Sequence, residues 1–209
     1  MKSLHYVAVS ALLVSTASRM ATIYAAERPQ SSAPASSQAR RAEGLEAWGR
    51  MYSVLSHPRC INCHTATNYP QQGDDRHRHQ FNVVRGREDR GVAGFTCATC
   101  HQGSNADSTG VPGAHNWQLA PLSMRWQDQT DRILSSSAVC KAVTDPSRNH
   151  HLDGPGLLKH HQDEALVRWA FQPGRRRDGI ERSLPPLTHE QFVAATRTWI
   201  EAGSPCPER

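Results

Sequence analysis

The sequence predicts a mainly α-helical protein whose helices are joined by long loops. Apolar residues recur at helical spacing in the stretches 45–55 and 157–171. Thr188 and Gln191 have the spacing of a capping box and precede a third apolar helical face. No segment alternates apolar and polar residues clearly enough to predict a β-strand. Together these observations favour helices as the frame of the fold.

Residues 1–26 have the features of a secretory signal peptide. Lys2 supplies a short positive region, and the stretch from Tyr6 to Ala17 is apolar or small throughout. Cleavage is predicted at Ala17 or around Ala25–Ala26. The sequence therefore predicts a periplasmic or otherwise exported protein with no membrane span in the mature chain. An apolar first helix of a cytosolic protein and an uncleaved N-terminal anchor are the alternatives.

A flexible leader is predicted over residues 27–41, which are rich in Ser, Pro and Ala and have no periodicity. The domain proper is expected to span 42–209. Its first helix should run from about Ala42 to His57, and Pro58 should end it. The residues expected to share the apolar face of this helix are Leu45, Trp48, Met51, Tyr52 and Leu55.

The later part of the chain is predicted to hold three more helices, over about 131–143, 157–171 and 188–202. Between the first helix and these three, residues 65–95 and 102–127 are polar and contain glycine and proline. Loops of this length inside a compact domain usually have a functional reason, and wrapping a prosthetic group is one. Only 37% of the residues are apolar, so a bound apolar prosthetic group would add bulk to a modest core.

Two short motifs indicate the chemistry of the chain. They are Cys60-Ile61-Asn62-Cys63-His64 and Cys97-Ala98-Thr99-Cys100-His101. Two thiols three residues apart lie on one turn, where each can add to one vinyl group of a haem, and the next histidine faces the iron. The motifs therefore predict two covalent haem c groups. The attachment residues would be Cys60, Cys63, Cys97 and Cys100, and the proximal iron ligands His64 and His101.

Other uses of these cysteines are possible in principle. A four-cysteine zinc site or a redox-active dithiol would also use Cys-x-x-Cys spacing. Neither alternative explains why histidine follows directly in both motifs. The motifs are 37 residues apart, too close for a complete single-haem domain to precede the second one. The predicted fold is thus cytochrome c-like, with long haem-wrapping loops and both haems in one module.

The remaining cysteines are Cys140 and Cys206. An even pair in an exported chain predicts a disulfide, here between a helix near residue 140 and the C-terminus. Two free buried thiols are the alternative.

Distal iron ligands have to come from the remaining methionines and histidines. Met124 follows a proline in the segment 121–126 and is the preferred sixth ligand of one haem, with the second motif favoured. For the other haem we prefer His79, with His77 next, because enough chain separates them from the first motif to fold over its haem. A core role is the alternative for Met124. Further histidines considered are His57, His115, His150, His151, His160 and His161, the last two of which are expected to be solvated.

The chain resembles a family of small exported dihaem cytochromes that serve as cytochrome subunits of periplasmic molybdenum hydroxylases of the isoquinoline 1-oxidoreductase type. The resemblance covers about residues 45–207, and the sequence departs from the family pattern at His115 and Gln118. The segments that carry it, besides the two haem motifs, are His57–Arg59, Gln72–Asp75, Arg85–Gly86, Val111–Ala114, Leu119–Pro121, Ser123–Met124, Cys140, Asp145–Asn149 and Cys206–Pro207. The resemblance implies a partner enzyme that oxidises a small organic substrate and passes its electrons to this chain.

These features predict an electron carrier rather than an enzyme. A dihaem peroxidase with one open haem and a zinc-structured binding module are the alternatives from other functional classes. Nucleic-acid binding is not expected, although the formal net charge is +5. The one run of three arginines, Arg175–Arg177, is followed at once by Asp178 and lacks interleaved aromatic residues.

Overall fold

The computed structural model describes residues 33–208 of the chain. Helices dominate this part, so the predicted mainly α class is confirmed. The α-helices found here are α1 (Ala33–Leu55), α2 (Pro58–Ile61), α3 (Ser136–Thr144), α4 (Gly154–Asp163), α5 (Ala165–Ala170) and α6 (His189–Glu201). The strands are β1 (Gln71–Gln72), β2 (His77–Arg78), β3 (Gly91–Val92) and β4 (Phe95–Thr96), and single 3₁₀ turns cover Gln80–Asn82, Cys97–Thr99 and Leu122–Met124.

The strands form two small antiparallel hairpins, β1 with β2 and β3 with β4. Both hairpins lie between the two cysteine motifs in the sequence. The sequence did not predict them, because two-residue strands leave no alternating pattern to detect.

The core is built around the packing of α1 against α6. Trp48 of α1 and Trp199 of α6 are both fully buried, with ring centroids 5.2 Å apart. The buried side chains of α1 recur at helical spacing and are Ala47, Trp48, Met51, Val54 and Leu55. Large aromatic side chains bury more apolar area than any others, so this pair anchors the two ends of the described chain to each other.

Helix α1 starts earlier than the sequence predicted. It begins at Ala33, so residues 33–41 of the expected flexible leader are helical. The reason is that Ala, Gln and Arg, which fill the stretch just before Ala42, are all good helix formers. Residues 27–32 and the predicted signal peptide lie outside the described residues.

Two of the predicted later helices differ from the structure, and the third agrees. Helix α3 begins at Ser136 because the side chain of Ser135 caps it, accepting from the Ala138 amide at 3.3 Å. The segment predicted as one helix over 157–171 is two, since Glu164 has an extended backbone between α4 and α5. Helix α6 matches the prediction, including the capping box of Thr188 and Gln191.

The disulfide predicted from the cysteine pair is confirmed. Cys140 of α3 and Cys206 are bonded, with their Cα atoms 5.6 Å apart. The indole nitrogen of Trp199 donates to the carbonyl of Pro205 at 3.0 Å, which fixes the same C-terminal segment a second time. As regards membranes, none of the helices within residues 33–208 is both long and apolar enough to cross a bilayer.

Candidate functional site

The first cysteine motif lies on a single helical turn. Pro58 occupies the first position of α2, where a missing amide costs nothing, and the ring of His57 caps the turn by accepting from the Arg59 amide at 3.3 Å. The amide of His64 then donates to the carbonyl of Cys60 at 3.1 Å. Pro58 therefore starts the motif helix as well as ending α1, and the turn holds both thiols and the histidine together.

The second motif repeats this local structure without any long helix to support it. Strand β4 leads directly into a 3₁₀ turn at Cys97. The amide of His101 donates to the carbonyl of Cys97 at 2.9 Å, and the amide of Cys100 to the same carbonyl at 3.2 Å. Both motifs thus close the same hydrogen bond from the histidine amide to the carbonyl of the first cysteine.

The two motif histidines are held by the same kind of hydrogen bond. Nδ1 of His64 lies 2.7 Å from the carbonyl oxygen of Met124, and Nδ1 of His101 lies 2.7 Å from that of Pro112. A carbonyl oxygen only accepts, so Nδ1 carries the proton in both rings. Nε2 is then left with its lone pair, which is the state of a metal-binding imidazole oriented by an outer hydrogen bond.

A tryptophan lies parallel to each of these rings. Trp126 stacks on His64 with centroids 3.4 Å apart, and Trp117 stacks on His101 at 4.3 Å. Trp117 is itself held edge-on by Trp169 of α5 at 4.8 Å, and the indole nitrogen of Trp169 donates to Asn105 at 2.9 Å. The stacked indoles fix the orientation of both imidazole rings, so their directions are set before any ligand arrives.

Burial sets the protonation states of the first motif and of both histidines. It lowers the pKa of His64 to about 3 and that of His101 to about 4, so both rings are neutral at neutral pH. Burial raises the pKa of Cys60 to about 12 and that of Cys63 to about 11. These two thiols are therefore protonated, whereas a reactive dithiol depends on a lowered pKa. All four motif cysteines are free.

A cleft of about 1180 Å³ connects the two motifs. We call it the cysteine cleft, because Cys63 of the first motif and Cys97 and Cys100 of the second all line it, together with His101. Its volume exceeds the roughly 300–1,000 Å³ of most small-molecule sites. Aromatic and aliphatic side chains form much of its wall, namely Phe81, Val83, Phe95, Trp117, Leu119 and Trp169.

Buried polar atoms without partners mark the surroundings of the first motif. Among the described residues these atoms are Arg59 Nε, Asn62 Oδ1 and Trp126 Nε1. Arg59 and Asn62 line the cysteine cleft, and Trp126 lies against His64. Buried donors are nearly always hydrogen-bonded in folded proteins. Arg59 Nε, which lies at the cleft, is therefore a donor that could bind an acceptor oxygen of a ligand.

The cleft also carries positive charge. Arg182 lines it and lies close enough to Arg59 that its charge contributes, after burial, to lowering the pKa of Arg59 to about 10. Arg176 and Arg177 are further cleft residues, while Asp74, Asp75 and Asp178 supply negative charge at its edge. Arginine side chains suit carboxylates because their donors form a planar fork. A large apolar ligand with carboxylate groups fits this wall.

The chemistry of these residues fits covalently attached haem. Each motif has two free thiols and a neutral histidine, and the cleft has apolar walls, the unpaired Arg59 Nε and further arginines for propionate groups. His101 lines this cleft, whereas His64 is not among its lining residues. Within residues 33–208, no three His, Cys, Asp or Glu side chains are grouped closely enough to hold a metal ion by themselves.

Met124 lies beside the first motif rather than the second. Its carbonyl accepts from His64 Nδ1, and its side chain packs against the apolar core. The sequence favoured it as a ligand at the second motif, whereas the structure places its backbone carbonyl beside His64 of the first motif.

His79 lies beside the second motif, whereas the sequence placed it over the first. Its ring centroid is 5.9 Å from that of His101, and both rings line the cysteine cleft. His77 is also at the cleft, where its Nδ1 pairs with the carboxylate of Asp75 at 2.6 Å. The structure thus groups His79 with Cys97, Cys100 and His101.

One histidine expected to be solvated is buried. His161 is 6% exposed, and its Nδ1 donates to the hydroxyl of Thr196 at 2.9 Å. The hydroxyl of Thr196 in turn donates a hydrogen bond to the carbonyl of Phe192 at 3.0 Å. The expectation was wrong because His161 has charged neighbours in the sequence, which suggested an exposed helix face, whereas its side chain packs against α6. His160, the adjacent residue, is exposed as expected.

Arg85 joins the segments around both motifs, a role that sequence reasoning missed. It is 4% exposed. Its guanidinium donates to the carbonyls of Thr65 at 3.1 Å and Ala120 at 2.5 Å, and to Asp89 at 2.6 Å. Thr65 directly follows the first motif, so Arg85 fixes the start of the long loop against the segment after the second motif. An arginine beside a glycine gives no sequence signal for such a role.

Comparison with known proteins found no matching family model, no matching curated protein and no matching solved structure.

Proposed function

We propose that this chain is an exported electron-transfer protein that carries two covalent c-type haems. The observation that carries the proposal is the equivalence of His64 and His101. Each follows a Cys-x-x-Cys pair on one turn, donates from Nδ1 to a carbonyl at 2.7 Å, and lies parallel to an indole ring. The two sites share this geometry although the sequences that flank them differ, which supports the same function for both.

The residues of each motif would hold one haem. Each cysteine S–H would add across one vinyl double bond, with the sulfur bonding to one carbon and the hydrogen going to the other, so that no oxidant or reductant would be consumed. His64 and His101 would bind iron through Nε2. Arg59, which lines the cysteine cleft and whose buried Nε has no partner in the described chain, would donate to a propionate oxygen near the first motif.

Bound haem supplies one-electron chemistry, since its iron alternates between Fe(II) and Fe(III). The chain's own contribution is to orient the ring nitrogens, exclude water with Trp117 and Trp126, and keep the two sites close. Cys63 and Cys97 line one cleft. Haems attached at these cysteines would therefore share that cleft, where electrons could pass from one to the other.

The direction of electron flow is proposed from the family resemblance. A periplasmic dehydrogenase or hydroxylase, such as a molybdenum hydroxylase, would donate electrons, and the chain would pass them towards the respiratory chain. The predicted signal peptide supports export, as does the Cys140–Cys206 disulfide, because disulfides persist in oxidising compartments.

A reductive titration of the purified exported protein tests this function. We expect two electrons per chain, full reversibility, and no peroxide turnover by the half-reduced protein. Rapid peroxide consumption would favour a dihaem peroxidase instead. A protein that contains zinc and takes up no electrons would favour a zinc-structured module.

A further inference from the structure

The β1–β2 hairpin places His79 over the cysteine cleft. The amide of His79 donates to the carbonyl of Pro70 at 3.0 Å, and the next amide, of Gln80, donates to the side chain of Gln72 at 3.2 Å. These bonds fix the backbone on both sides of the imidazole. The position of His79 is therefore set by the hairpin and not by a freely moving loop.

The hairpin is in turn fixed to the first motif. Arg59 of α2 forms an ion pair with Asp74 at the hairpin turn. The side-chain amide of Asn62 donates to the carbonyl of Gly73 at 2.9 Å. The turn of the hairpin thus contacts the first motif, while His79, which follows β2, lies beside His101 of the second motif.

The rings of His79 and His101 have the separation of two ligands on one metal. Their centroids are 5.9 Å apart, with an angle of 66° between the ring planes. With metal–nitrogen bonds of about 2 Å, two imidazoles bound to opposite sides of one metal have centroids roughly 6 Å apart. The measured spacing matches this distance, and it also lies within the roughly 4.5–7 Å of an edge-to-face ring contact.

Both rings are also in the same state. Nδ1 of His79 lies 2.7 Å from the carbonyl oxygen of Gln80, and Nδ1 of His101 lies 2.7 Å from that of Pro112. Each carbonyl fixes the proton on Nδ1, which leaves both Nε2 atoms as lone-pair donors. An outer hydrogen bond of this kind is the usual companion of a metal-binding histidine.

Apolar side chains line the cleft that His79 shares with the second motif. Phe81 is 77% exposed, has a left-handed backbone with φ of 62°, and lines the cleft. Backbone strain of this kind concentrates at functional sites. Val83 and Phe95 line the same wall.

We propose that His79 and His101 are the two axial ligands of the haem attached at Cys97 and Cys100. This inference rests on the proposed function and adds the coordination of the second site. Two histidines close the iron to small molecules, so this haem transfers electrons and does not bind peroxide. A methionine ligand raises the potential of haem iron, so a bis-histidine haem has a lower potential than a haem with one histidine and one methionine.

His77 provides the matched control. It lies two residues before His79, lines the same cleft, and is exposed. Its Nδ1, however, pairs with the carboxylate of Asp75, and no ring contact joins it to His101 among the contacts of the described chain. Loss of His77 removes a histidine of the same hairpin without removing the proposed ligand.

The test compares the wild-type protein with His79→Ala, His79→Met and His77→Ala in the haem-loaded state. The wild-type near-infrared magnetic circular dichroism spectrum should contain the bis-histidine band. His79→Ala should lose this band and bind one carbon monoxide per chain more than wild type in the ferrous state. His79→Met should replace the bis-histidine band with a histidine–methionine band, and His77→Ala should match wild type in both measurements.

Three outcomes would overturn the proposal. A wild-type spectrum without a bis-histidine band would do so, and that measurement needs no variant to fold. So would a His79→Ala protein that behaves as wild type, or a His77→Ala protein that gains the carbon monoxide site. In these cases, a pyridine haemochrome count of two haems per chain would still support the proposed function. A wild-type protein with no covalent haem would contradict both the proposed function and the proposed ligands.

Discussion

Nδ1 of His64 lies 2.7 Å from the backbone carbonyl oxygen of Met124, a residue 60 positions later in the chain. The hydrogen bond fixes the ring proton on Nδ1 and directs Nε2 away from Met124. Met124 therefore acts on the first motif through its main chain. Its side chain packs with the apolar core, where a residue of similar shape would serve equally well.

The first prediction follows from this contact. Met124→Leu keeps the carbonyl and nearly the same side-chain volume, so it should cost less than about 1.5 kcal/mol of stability. Haem content and the ferric far-red spectrum should be unchanged. Loss of a methionine–iron charge-transfer band in the variant would show that the thioether binds iron, as the sequence first predicted.

Arg85 is predicted to hold the two motif segments together. Arg85→Ala removes a buried guanidinium from the carbonyls of Thr65, Thr67 and Ala120 and leaves Asp89 without its partner. We expect a loss on the order of 3–5 kcal/mol in the free energy of unfolding, measured by urea denaturation. Arg87→Ala, at an exposed position two residues later, is the control. Equal midpoints for the two variants would contradict the structural role of Arg85.

The Cys140–Cys206 disulfide should contribute strongly to stability. It spans a sequence separation of 66 residues. Restricting such a loop in the unfolded chain is worth about 4 kcal/mol in the loop-entropy model. The double variant Cys140→Ser/Cys206→Ser should therefore melt on the order of 10 °C lower in calorimetry. A melting temperature within a degree or two of wild type would mean that the tail is held by other contacts, such as the Trp199–Pro205 hydrogen bond.

His161 predicts a pH dependence of stability. Burial, aided by the charges of His160, His64 and His189, lowers its pKa from 6.5 to about 3. Between these values the unfolded chain binds a proton that the folded chain does not. Stability is therefore complete above pH 6.5 and falls as the pH is lowered towards 3.

Urea denaturation across that pH range measures the effect. His161→Asn keeps a donor for Thr196 but does not titrate, so its stability should fall less steeply with decreasing pH than that of wild type. His151→Asn is the control, because His151 is exposed and its left-handed φ of 59° suits asparagine. Parallel pH profiles for wild type and His161→Asn would refute the assignment.

Local signals in the sequence predicted the parts of the fold that depend on neighbouring residues. The capping box of Thr188 and Gln191 gave the start of α6 correctly. The even pair of cysteines outside the motifs gave the disulfide. The motif turns followed from the Cys-x-x-Cys-His spacing itself. Each of these features is decided within a few residues or by the count of one residue type.

Features that depend on distant residues were not predictable. The carbonyls of Pro112 and Met124 that orient the two motif histidines carry no side-chain signature. Their roles arise only when the loops fold back onto the motifs. His79 was expected at the nearer motif along the chain, but the β1–β2 hairpin carries it to the other one. The apolar spacing over 157–171 continues past Glu164, so only the extended backbone of that residue, which leaves no sequence signal, separates α4 from α5.

A pyridine haemochrome count on the purified, exported protein tests the central claim most directly. The account predicts two covalently bound haems per wild-type chain. It predicts one haem in Cys60→Ala/Cys63→Ala and one in Cys97→Ala/Cys100→Ala. A wild-type protein without covalent haem, or with four thiols bound to zinc, would contradict the account.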